Sequence, residues 1–144
     1  MSADDIAALL AQRVVERVKV DVEAARRNLV AANAHLRAAE AVASDDPTGA
    51  FVLAYDAMRK AISAHMRANG LRVTSRPGAH ERTGRYARAA LDACEIDGHL
   101  AAFDDLRRVR NKTEYDALIV TEATAADAVV HSRAIVDAVE RDLT

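Results

Sequence analysis

The sequence predicts an all-α fold, a single-domain bundle of about five helices with antiparallel neighbours, on three observations. Hydrophobic residues make up 51% of the 144 residues, enough to bury a core and too many for a disordered chain. Alanine alone takes 33 positions, whereas 5 Gly and 2 Pro leave few turns for an all-β fold. Apolar residues also recur at spacings of three, four and seven along most of the chain.

Asp4 or Asp5 is a suitable N-cap for a first long helix with Ile6, Leu10, Val14, Val18, Val22, Ala25, Leu29 and Leu36 at helical spacings. No Gly or Pro precedes Pro47, so this helix is expected to run from about residue 5 to 43. That is about 58 Å at 1.5 Å per residue, unless it bends at the β-branched cluster 18–22. Such a length exceeds a small bundle, so the helix kinks or an N-terminal extension, residues 1–20, packs on a partner. Residues 44–49 read as a turn built from Asp, Pro and Gly. A second helix covers about 50–69, with Phe51, Tyr55, Met58, Ile62 and Met66 on one stripe and Asn69-Gly70 as its C-cap. Residues 71–78 form an Arg-rich loop. A third helix runs from His80 or Glu81 to Ala93, and a fourth from Leu100 to about Asn111 with Leu100, Phe103, Leu106 and Val109 inward. Between Lys112 and Glu122 the pattern fits a buried turn or a continued helix. Thr121 or Thr124 caps the last helix, which reaches Leu143 with Ala128, Ile135, Val139 and Leu143 inward. No repeat, low-complexity tract or linker divides the chain, so residues 1–144 read as one domain.

A net charge of −2 by itself attracts no phosphate, but the charge is unevenly spread. From Arg59 to Arg88, eight cations stand against Glu81 alone, a net +7 over 30 residues. Arg107 to Lys112 adds four cations and no acid, while the remainder holds 8 cations and 21 acids. Arg outnumbers Lys by 17 to 3, which a GC-rich genome explains as readily as phosphate binding does. The start of the chain is acidic, and the longest runs without a charged residue are nine long, against about 20 for a membrane span. A cytoplasmic location without membrane contact is expected. Cys94, the single cysteine, reads as a small core residue. Histidines 35, 65, 80, 99 and 131 are dispersed, and phosphate-loop, paired-Cys and nucleophile-elbow motifs are absent, so neither metal nor cofactor is expected.

The densest polar cluster lies at residues 106–115. On a helix, Arg107, Arg110 and Asn111 fall at i, i+3 and i+4 and share one face, while Arg108 points elsewhere. A solvated helix end with cations complementing the dipole accounts for the charges. It does not account for Asn111, Glu114 and Tyr115, which make the cluster a polar constellation. Upstream, Arg72, Arg76 and Arg82 flank His80, whose plainest role is a first-turn residue bonding backbone. Phe51 and Tyr55 read as core.

Two segments, Ala54-Tyr-Asp-Ala-Met-Arg-Lys-Ala-Ile62 leading to Gly70 and His80, and Arg107-x-x-Arg110-Asn111-x-x-Glu114-Tyr115, resemble the HEPN domains of prokaryotic toxin–antitoxin, abortive-infection and nucleotidyltransferase-linked systems. The first is similar to the family's second helix and the second to its Arg-x(4–6)-His signature, across roughly residues 50–116. The resemblance implies a helical bundle that dimerises, with both signatures at one cleft. It also implies metal-independent RNA cleavage, in which His exchanges a proton with the ribose 2′-hydroxyl and Arg stabilises the phosphoryl oxygens. Here Tyr115 stands where the signature has His. A phenol titrating near 10 is only about 0.1% ionised at pH 7, so Tyr115 is a poor base, though it can bond phosphate or stack on a base.

The expected function is therefore a homodimeric, HEPN-like RNA- or nucleotide-binding protein of a toxin–antitoxin or defence module, with weak or no ribonuclease activity. Arg107, Arg110, Asn111 and Tyr115 are its expected contacts, joined by Arg72 and Arg76. One alternative is an active metal-independent endoribonuclease using Arg110 with Tyr115 or His80. Another is a non-catalytic helical partner of a nucleotidyltransferase or antitoxin.

Overall fold

The computed structural model describes residues 1–144, apart from the side chain of Ala93. Among the described residues there are six α-helices rather than five, with a small two-stranded sheet: α1 (Ala3–Ala11), β1 (Val15–Arg17), α2 (Val22–Val42), α3 (Pro47–Ala68), β2 (Leu71–Val73), α4 (Ala79–Ala90), α5 (Asp97–Tyr115) and α6 (Glu122–Leu143).

The expected continuous helix over 5–43 is broken. Ser2, two residues before the first of the expected caps, closes α1 with a capping box to Asp5. The chain then reverses at Arg13, in the left-handed region at φ 58°, and enters an extended stretch. Val14, Val15, Val18 and Val20 are β-branched and fit a strand better than a helix. Val15, Glu16 and Arg17 pair antiparallel with Val73, Arg72 and Leu71. The Val18 amide donates to Gly70 O (2.9 Å) and the Asp21 amide to Arg67 O (3.1 Å). Asp21 then N-caps α2 through the Ala24 amide (2.8 Å). Val22, expected inward, is 63% exposed.

Helix α3 is the central element and packs most extensively on α2 and α6. Its buried stripe holds Phe51, Tyr55, Met58, Ile62 and Met66 as expected, separated by buried Ala50, Ala54, Ala57, Ala61 and Ala64. Across from it, α2 buries Ala25, Ala32, Leu36 and Ala39, a seven-residue spacing with small side chains that lets the two helices approach closely. The turn expected at 44–49 holds only over 44–45, and its second half is the start of α3: Asp46 caps the helix by accepting from the Gly49 amide, and Pro47 occupies its first turn. The Asn69-Gly70 stop holds, with Gly70 at φ 67°.

The Arg-rich segment after Gly70 begins as strand β2. Helix α4 ends at Ala90, and a 3₁₀ turn over Asp92–Cys94 follows. Gly84 lets α4 lie close to α5, since a Cβ there would fall 3.0 Å from the Phe103 ring. Helix α5 starts earlier and ends later than expected, burying Leu100, Phe103 and Leu106. Past Tyr115 the chain turns at Ala117, with Ile119 83% exposed and Val120 buried, its amide bonded to Thr48 Oγ1 (3.0 Å). Thr121 caps α6. Among the described residues no helix is long and apolar enough to cross a membrane.

Candidate functional site

Helices α3, α4 and α5 set His80, a nominated residue, against Tyr55, which the sequence assigns to the core. Tyr55, on the buried stripe of α3, points its hydroxyl at His80 Nδ1 in the first turn of α4, at 3.0 Å, with the rings stacked at 5.8 Å. Phe103 of α5 stacks on the other side of Tyr55 at 5.5 Å. Tyr55 is thus core, as its spacing indicates, and also carries a polar end out of the core. Burial pushes its hydroxyl up to about 12, although the charges of Arg59, Arg110 and Arg107 act the other way. The hydroxyl therefore stays protonated at neutral pH. Burial also lowers the His80 imidazole below its usual value, and the same three guanidiniums lower it further against a small opposing effect of Asp56. His80 is therefore a neutral imidazole at pH 7, surrounded by fixed positive charge.

Tyr55, Arg59 and Arg110 line a cavity of about 260 Å³ with His35, Val52 and Asp56. Arg110 pairs with Glu114 (2.5 Å), the i,i+4 partner that the sequence places beside it. Arg59 pairs with Asp56 (2.5 Å), which also receives His35 (3.3 Å) and Lys60 (3.7 Å). Burial raises the Asp56 carboxyl, but the hydrogen bond and charge of Arg59, with Lys60 and His35, outweigh it and hold the group below the usual carboxylate range. Arg107 lies behind, its Nε 3.9 Å from Asp104 Oδ1; both atoms are buried without a hydrogen-bond partner among the described residues. Asn111 is half-buried on the next turn.

The remaining nominated residues sit elsewhere. Tyr115 is 78% exposed at the last residue of α5 and does not line the Arg110 cavity. Arg76 is exposed and donates to Arg13 O (3.0 Å). Arg72 pairs with Glu16 across the strands (2.6 Å). Arg82 is buried and spent on the loop, its guanidinium donating to Thr74 O, Arg76 O and Pro77 O at 2.6–2.8 Å. Much of the +7 segment is therefore internal bracing.

Sequence reasoning missed Arg59, Asp56 and His35 as parts of this site. The Asp56-x-x-Arg59 spacing, one turn along the polar edge of α3, is the signal that was present. It also missed two further histidine arrangements. His65, only 2% exposed, bonds Tyr86 Oη through Nδ1 (2.8 Å) and Asp142 through Nε2 (2.6 Å). His99 and His131 share an N–H···N bond between their Nδ1 atoms (2.9 Å), joining α5 to α6. Among the described residues no three His, Cys, Asp or Glu side chains are placed to hold a metal ion. The chain matches no family model, no curated protein and no solved structure, so the geometry of the site carries the functional reading.

Proposed function

We propose that this chain is a HEPN-like RNA-binding protein of a toxin–antitoxin or defence module, holding phosphodiester against Arg110 and Arg59 beside the Tyr55–His80 pair. The observation that supports the reading is that Arg59 and Arg110 line one cavity with Tyr55, whose hydroxyl meets the His80 imidazole at 3.0 Å. Guanidinium forks bind phosphate oxygens in pairs, and a ligand phosphate competes for Arg110 with a single half-exposed carboxylate, Glu114. A homodimer belongs to the proposal. Val52 at the cavity, and Leu118 and Ile119 on the segment tied to Thr48 one turn away, leave apolar surface for a second copy.

The test is filter binding of single-stranded RNA to the wild type and to Arg110→Gln. A loss of at least tenfold for the variant at low salt is expected. Undetectable wild-type binding, or equal binding by the two, overturns the reading. Light scattering at micromolar concentration checks the dimer, and a monomer removes that part of the proposal.

The position of His80 favours a second reading, a metal-independent ribonuclease. In that reading neutral His80 takes the ribose 2′-hydroxyl proton, the 2′ oxygen attacks phosphorus, and the bond to the 5′ oxygen breaks as the proton returns to it. A 2′,3′-cyclic phosphate remains, and Arg110 with Arg59 holds the phosphoryl oxygens. The step uses the tautomer in which His80 Nδ1–H donates to the Tyr55 hydroxyl oxygen, so that Nε2 carries the lone pair that takes the substrate proton. Growth arrest on induction in a bacterial host, relieved by Arg110→Ala and by His80→Gln, selects this reading over binding alone. Harmless expression of all three removes it.

A further inference from the structure

A second cavity, also about 260 Å³, lies between the C-terminal half of α3, strand β2 and the first turn of α4. It shares one wall with the first cavity, because Arg59 lines both. Its polar lining consists of Arg59, Arg67, Arg72 and His80 with the hydroxyls of Ser63 and Thr83, and no carboxylate lines it. That composition separates it from the first cavity, where Asp56 contributes an acid. Arg72 is tethered by Glu16 and Arg59 by Asp56, whereas Arg67 makes no ion pair among the described residues. Three arginines therefore border this space, two of them paired to carboxylates outside its lining and Arg67 without an ion pair among the described residues. A dianion in this acid-free space would accept hydrogen bonds from Arg67 and compete with Glu16 for Arg72. The α4 end adds to the effect, since its N-cap Gly78 has no side chain to occupy the first-turn amides.

We propose that this acid-free cavity is a phosphate subsite, in which Arg67 and Arg72 grip the outer oxygens of one phosphate group and Arg59 connects it to the Arg110 cavity. The shared Arg59 wall makes the two cavities consecutive, so the ligand that fills both is a strand with adjacent phosphates rather than a single nucleotide. This second step rests on the RNA-binding reading above; the phosphate subsite itself does not.

The experiment uses the full chain and two probes. Inorganic phosphate is titrated against chloride at matched ionic strength, with the melting temperature as readout, for the wild type, Arg67→Gln, Arg72→Gln and Arg37→Gln. The last removes the same charge from the outer face of α2. Phosphate is expected to raise the melting temperature of the wild type and of Arg37→Gln, with at least fivefold weaker apparent affinity in the Arg67 and Arg72 variants. A response no greater than that to chloride, or one equal in all four proteins, overturns the subsite. For the second step, the salt dependence of single-stranded RNA binding is compared between the wild type and Arg67→Gln, and the logarithmic slope should fall by about 0.7, the value for one phosphate contact. An unchanged slope alongside an impaired phosphate response overturns the strand-spanning step and leaves the subsite. Phosphate protection with no RNA binding by the wild type overturns the functional reading and also leaves the subsite.

Discussion

Two tyrosine–histidine hydrogen bonds join α3 to α4, Tyr55 to His80 and Tyr86 to His65, and they differ in what holds the other imidazole nitrogen. At His65 both nitrogens are committed. The carboxylate of Asp142 can only accept, so Nε2 carries the proton it receives, and in the neutral ring Nδ1 accepts from the Tyr86 hydroxyl. Burial, with a contribution from Asp142, pushes that hydroxyl well above its usual range, so it remains a donor. The ring is closed off from solvent, with a partner on each nitrogen. His80 has one partner, Tyr55, and it lines the cavity bordered by Arg59, Arg67 and Arg72. A histidine with both ends satisfied in the core braces the fold, whereas one with a free nitrogen, a lowered pKa and cations around it is available for chemistry.

The largest expected effect comes from breaking the closed arrangement. His65→Ala removes a buried ring and leaves the Tyr86 hydroxyl without an acceptor, and about 3 kcal/mol of stability should be lost in urea unfolding. Asp142→Asn keeps an acceptor oxygen for Nε2–H and should cost under about 1 kcal/mol. If His65→Ala were as stable as wild type, the bracing role would be wrong.

A sharper comparison uses the same substitution at both tyrosines. Tyr86→Phe deprives a buried Nδ1 of its donor, with no water in reach, and should cost about 1–2 kcal/mol. Tyr55→Phe leaves half-exposed His80 able to turn to water, so the loss should be under about 1 kcal/mol. Equal losses from the two variants, measured in the same denaturant series, would erase the distinction between brace and site.

The two arrangements were also unequally legible in the sequence. The stripe that places Tyr55 in the core and the i, i+3, i+4 spacing of Arg107, Arg110 and Asn111 both come from local helix geometry, and helix geometry repeats wherever a helix forms. The approach of His80 to Tyr55, of Tyr86 to His65, and of Asp142 to either depends on how α3, α4 and α6 cross. Local spacing carries no information about that crossing. The same limit explains Tyr115: counting along α5 aligns it with a signature histidine, while the imidazole that stands near Arg110 arrives from another helix. The break after α1 was legible in part, because valines concentrate at 14–22, but Asp21 had to be read as a helix start within a helical pattern. Residues 46–49 misled for a related reason, since Asp-Pro serves a turn and an N-cap followed by a first-turn proline equally well.

The smallest expected effect separates the histidines by proton linkage. His80 and His131 both have lowered pKa values in the folded chain, in each case chiefly through burial, aided at His80 by Arg59, Arg110 and Arg107 and at His131 by His99. As pH falls through about 6.5, the unfolded chain takes up these protons before the folded chain does. The unfolded state then binds more protons, so stability should fall with decreasing pH between about 6.5 and 5, above the range in which Asp56 begins to lose its contribution. Melting temperatures across this window should slope downward toward acid for the wild type, and the slope should flatten in His80→Gln and flatten again when His131→Gln is added. A slope untouched by either substitution would assign the proton uptake to another group and remove the neutral His80 on which the proposed chemistry beside Arg59 depends.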